Sequence, residues 1–81
     1  MDRESWTYMH DLAKQDIARN IRRKMREGRV NNKILSARMG IAHSTVSMHV
    51  AGTRMPSALR LKQIANALGC TTDELLEGVG E

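Results

Sequence analysis

Between His43 and Ala51 the chain crowds His43, Ser44, Thr45, Ser47 and His49 into one short stretch, side chains able to serve as nucleophile, base, metal ligand or hydrogen-bond donor. Nucleophilic catalysis needs a hydroxyl or thiol beside a histidine that a carboxylate orients. No such arrangement is legible, and no glycine-rich phosphate loop follows a strand. Metal chemistry fares no better, because His10, His43, His49 and Cys70 show no ligand spacing such as i, i+4. What remains for these groups is hydrogen bonding from the surface of a helix. Placed at about 100° per residue, His43, Ser44, Ser47, Met48 and Ala51 share one arc, while Val46, His49 and Val50 share the opposite one. The first arc is free to meet a ligand. The second faces a core, so His49 reads as a core histidine.

A second chemistry is charge. Residues 21–60 hold Arg22, Arg23, Lys24, Arg26, Arg29, Lys33, Arg38, Arg54 and Arg60 against Glu27 alone, a net +8. Residues 1–20 sum to −1 and residues 61–81 to −3. A basic middle between acidic ends points to a polyanion-binding face. The alternative for such a run is a solvated basic helix.

The elements that must position these residues are short helices. The first is expected from about Asp11, a candidate cap, to Glu27, with Ile17, Ile21 and Met25 on one face and Gly28 able to end it in a left-handed conformation. The second runs from about Asn32 to Met39, capped by Asn31 and stopped by Gly40; the third runs from His43 to Ala51 and stops at Gly52. Ser57 caps a fourth in which Leu61, Ile64, Ala65 and Leu68 form an apolar stripe before Gly69. Thr71 and Glu74 match a capping box for a fifth that ends at Gly78. Leu35, Met39, Ile41 and Val46 are spaced to fill the angle between the second and third helices, which only Gly40-Ile41-Ala42 separate. Met25 and Met39 read as core filler.

The fold expectation is therefore all-α: residues 1–10 as an N-terminal extension, 11–78 as one compact domain and 79–81 as a tail. For Trp6, Tyr8 and Met9 three readings stay open, namely packing on the first helix, covering a dimer seam, or mobility. The lone Cys70 excludes an internal disulfide, no apolar run is long enough to span a bilayer, and no signal-peptide pattern opens the chain. A cytosolic compartment is expected, with no cofactor, metal or small-molecule ligand.

Asn32-Lys33-Ile34-Leu35-Ser36-Ala37-Arg38-Met39-Gly40-Ile41, Ser44-Thr45-Val46-Ser47 and Gly52-Thr53-Arg54-Met55-Pro56 resemble the Cro and cI-type, lambda-repressor-like helix-turn-helix family of bacteria and phages. Leu61, Ile64-Ala65, Leu68-Gly69 and Asp73-Glu74-Leu75-Leu76 continue the resemblance, which covers roughly residues 17–77. It implies a five-helix domain, often dimeric, whose third helix enters the major groove of double-stranded DNA. On that reading His43, Ser44, Ser47 and Met48 meet base edges. Arg29, Asn32, Lys33, Thr45, Thr53 and Arg54 meet phosphates. Family members often pair through the fifth helix and the loop before the fourth, which here means Met55, Pro56, Leu59, Leu75, Leu76 and Val79. The resemblance further implies a repressor bound to an inverted-repeat operator.

The chain departs from the family pattern in four ways. Ala42 stands where a serine or threonine usually caps the third helix, so a frayed or shifted start is expected. His49 replaces an aliphatic residue, and Val50 an acid. The reading arc also lacks Arg, Asn and Gln, the strongest bidentate base readers, so affinity must lean on phosphate contacts. A rival reading keeps the fold but binds protein, as an antitoxin-like or anti-activator domain, through Ile34, Leu59 and Val79.

Overall fold

The computed structural model describes the backbone of residues 3–80 and the side chains of residues 9–80. Among them are five helices and no strand: α1 (Arg3–Gly28), α2 (Asn32–Met39), α3 (His43–Ala51), α4 (Ala58–Leu68) and α5 (Thr72–Leu75). The punctuation works as its chemistry demands. Asn31 Oδ1 accepts from the Ile34 N–H and Ser57 Oγ from that of Arg60, each satisfying a donor that the first helical turn leaves unpaired. Thr71 and Glu74 form both bonds of the capping box.

Three boundaries differ from expectation. α1 begins at Arg3 rather than near Asp11. No glycine or proline interrupts residues 3–27, so the helix runs straight through Asp11, whose carboxylate pairs with Lys14 at 3.1 Å instead of capping. At about 1.5 Å per residue the 26 residues of α1 account for the 40 Å length of the molecule. Side-chain contacts for Trp6 and Tyr8 lie outside the described residues; Met9 is exposed.

The second difference is at the other end of α1. Arg29, not Gly28, takes the left-handed conformation, at φ 54°. The Val30 N–H then reaches back to the Met25 carbonyl at 2.8 Å, the longer bond of a Schellman turn, and the Val30 side chain drops into the core. Third, α5 is a single turn that stops at Leu75 rather than running on to Gly78. An isolated turn has no stability of its own. Here the fully buried Leu75 anchors it, and Asn20, buried in the middle of α1, donates its amide to the carbonyls of Leu75 and Glu77, both at 2.9 Å.

The core joins Ile17, Ile21 and Met25 of α1 to Leu35 of α2, Val46 of α3, Leu61, Ile64 and Ala65 of α4, and Leu75. Met39 and Ile41 pack against it from the α2–α3 turn, as their spacing requires. The turn that ends α3 comes close to α1 at Gly52, where an added Cβ would lie 3.2 Å from that of Ala18. α2 and α3 are thus braced from behind by α1 and α4, leaving one face of α3 bare.

Candidate nucleic-acid interface

α3 starts at His43 even without a side-chain cap at Ala42, because the Ala42 carbonyl accepts from both Thr45 and Val46. Its outward arc carries the exposed His43, Ser44, Met48 and Ala51. Ser47 is half-buried and engaged: Asn32 Nδ2 donates to its hydroxyl at 3.4 Å, and the hydroxyl lies 3.4 Å from His43 Nδ1. When Ser47 donates to Nδ1, the proton of His43 sits on Nε2, and the ring presents a donor outward. Asn32 thereby ties the first turn of α2 to α3. Val46 and His49 occupy the inner arc as foreseen, both buried.

On the opposite flank, His49 is only 4% exposed. Its Nδ1 lies 3.2 Å from the Arg54 carbonyl; a carbonyl can only accept, so Nδ1 holds the proton and donates. Burial, together with the guanidinium groups of Arg54 and Arg60, holds His49 below the ordinary imidazole pKa, against the opposing pull of that hydrogen bond. Thr53 closes the end of α3, donating from both its hydroxyl and its N–H to the Met48 carbonyl.

The basic run from Arg22 to Lys33 does not form one stripe. Arg22 donates to the Val50 carbonyl at 2.7 Å, and Arg38 to that of Ala67 at 3.0 Å, so each guanidinium covers the carboxyl end of a neighbouring helix. Arg23 pairs with Glu77, and Lys24 with Glu27 and Glu74, on the side of α5. Such exposed pairs contribute only about 0–1 kcal/mol each, but they direct those two charges away from α3. Among the described residues Arg26, Arg29, Lys33, Arg54 and Arg60 carry no ion pair. They bracket α3: Arg26 and Arg29 line a cleft of about 350 Å³ with Asn31 and Val50, and Arg54 and Arg60 line another with Thr45. Arg60 was not among the residues expected from sequence. Its signal is the Ser57-x-x-Arg60 spacing, which puts the arginine in the capped first turn of α4 just after Arg54.

The expected pairing surface needs correction. Leu75 is fully buried in the core and Pro56 is buried, so neither has area left to offer a partner. Val79 packs half-buried on the core instead of projecting as a tail. Leu59, at 68% exposed, and Leu76 remain open, with Met55 half-buried. Among the described residues no helix is both long and apolar enough to cross a membrane.

A family model described as helix-turn-helix matches residues 21–75, from the last third of α1 to the last residue of α5. No curated protein and no solved structure matches the chain.

Proposed function

Since the chain belongs to the Cro/C1-type helix-turn-helix family of DNA-binding transcription regulators, we propose that it is a repressor that binds an inverted-repeat operator as a dimer, with α3 in the major groove. The observation that carries this reading is the placement of charge. Unpaired arginines and a lysine stand on both flanks of α3, while its outward arc holds small polar groups and Met48 rather than acids. A duplex has phosphates on both sides of its major groove, and such flanks complement it.

Roles follow from position. Arg29, Lys33, Arg54 and Arg60 neutralise phosphates; Asn32 and Thr53 hold the ends of the reading unit. His43 and Ser44 hydrogen-bond base edges, and Met48 contacts a thymine methyl. With few base readers per protomer, pairing of two copies on two half-sites supplies the selectivity. Leu59, Leu76 and Met55 are the surface we assign to that pairing. Repression follows from occupying DNA that polymerase requires.

Binding-site selection from genomic DNA supplies the operator. Fluorescence titrations of operator and random duplex then separate the two kinds of contact. Arg54→Ala is expected to weaken both and to lower the salt slope by about one. Ser44→Ala is expected to cost about 1–3 kcal/mol on operator alone. The exposed Ile34 and Leu59 favour the rival protein-binding reading. It takes first place if both variants fold and neither changes DNA affinity.

A further inference from the structure

The cleft beside α3 holds an arrangement that phosphate binding by arginine alone does not explain. Thr45, His49, Arg54, Met55, Ser57 and Arg60 enclose about 160 Å³ at the first turn of α4. That is well under the roughly 300–1,000 Å³ of small-molecule pockets, but it is room for a single phosphate group. No carboxylate of the described residues lines it. The Ser57 hydroxyl accepts from the Arg60 N–H, which leaves its own proton to donate. Thr45 makes no side-chain hydrogen bond among the described residues, and α4 directs the positive end of its dipole here.

His49 supplies the second, independent observation. The ring is buried, and Nδ1 is committed to the Arg54 carbonyl. Nε2 has no hydrogen-bond partner among the described residues and is not among their fully buried, unsatisfied atoms, so it keeps some contact with solvent, and its residue lines this cleft. On its other side His49 borders an apolar space lined, among the described residues, by Ile21 from α1, Leu35 and Met39 from α2 and Ile64 from α4. The charged groups facing it are Arg54 and Arg60, and His43 stands on the opposite arc of α3. Burial and the two cations favour the neutral imidazole while the cleft is empty. A phosphate between the arginines reverses the local field and offers Nε2 an acceptor.

We propose that this cleft is a phosphate site in which His49 takes up a proton together with the anion, making DNA binding proton-linked. The inference rests on the DNA-binding reading and adds to it a coupling through a residue held by the core. Nδ1–H stays on the Arg54 carbonyl throughout; the proton arrives from solvent at Nε2 and is shared with a phosphate oxygen. By linkage, affinity then rises as pH falls through the range between the His49 pKa values of the free and bound protein. The limiting slope is about tenfold per pH unit for each protomer.

The test is an imidazole nitrogen NMR titration of the whole chain in chloride buffer, repeated with random duplex and with inorganic phosphate. The His49 pKa is expected to rise when duplex binds. Bound duplex with an unmoved His49 overturns the proposal and leaves the DNA-binding reading intact. If duplex does not bind at any pH, that reading fails, and the phosphate arm decides: a raised His49 pKa identifies a free-phosphate site, and an unmoved one overturns the proposal. In parallel, His49→Asn keeps a donor near Nδ1 but cannot titrate, so it is expected to flatten the pH dependence of duplex affinity relative to wild type. An undiminished slope in that variant overturns the proposal as well.

Discussion

Arg29 combines a backbone cost with an exposed charge. A non-glycine residue at φ 54° is strained by about 1–2 kcal/mol, and it is retained where the chain must both bury Val30 and present a cation beside α3. Arg29→Gly is therefore expected to raise stability by about 0.5–1 kcal/mol, a few degrees in melting temperature, while weakening duplex binding and its salt slope. A melt that does not rise would mean the turn carries no strain. His49 makes a different demand. Its folded pKa lies below the ordinary value, so the unfolded chain binds protons more readily. Its contribution to stability is complete above about pH 6.5 and is lost as pH falls from there through the lowered folded value. Thermal melts from about pH 7.5 to about pH 5 should show this loss in wild type and a smaller one in His49→Asn.

At the scale of elements, two glycines that both end helices of the reading unit are predicted to behave differently. Gly40 is left-handed at φ 68°, yet a Cβ there would meet nothing within 4 Å. Gly40→Ala is therefore expected to cost only the backbone strain, about 1–2 kcal/mol. At Gly52, φ is 80° and a Cβ would press on the Ala18 Cβ at 3.2 Å, with the Gln15 Cα at ordinary contact distance. Gly52→Ala adds that overlap to the strain, typically about 1–3 kcal/mol more, and pushes α3 off α1. Chemical denaturation of both variants checks the order; equal losses would remove the close α1–α3 approach from the account. The displacement also moves the arc of His43, Ser44 and Met48, so Gly52→Ala should lose DNA affinity beyond its loss of stability.

Taken whole, the molecule separates its charges. Acidic Glu74 and Glu77, in and just after α5, hold Arg23 and Lys24 on one side, while Arg26, Arg29, Lys33, Arg54 and Arg60 stand on the flanks of α3. The proposed pairing surface is small, with the exposed Leu59 and Leu76 its apolar members. Leu59→Glu is expected to leave the folding stability of the monomer within about 0.5 kcal/mol of wild type, as surface changes do, while abolishing the dimer in analytical ultracentrifugation and sharply reducing operator affinity. A Leu59→Glu protein that still sediments as a dimer would place the pairing surface elsewhere, the exposed Met9 and Leu12 of α1 being the next apolar candidates.

The amino-acid sequence alone determined the helix order, the caps at Asn31, Ser57 and Thr71, the left-handed Gly40, and the outward arc of α3. Each of these follows from interactions within a few residues, where side-chain spacing and backbone sterics decide the outcome. The long reach of α1 was equally local, written in the absence of any breaker before Gly28. Only tertiary structure decided which arginines are free: Arg22, Arg23 and Arg38 lose their reach to Val50, Glu77 and Ala67, partners 28 or more residues away. It also decided that Leu75 and Pro56 are spent on the interior, that Asn20 of α1 clamps α5, and that Arg60 joins Thr45 and His49 around one cleft. Such outcomes depend on which surfaces meet when the helices collapse on one another, and helical periodicity, which orders residues around a single axis, does not contain that information.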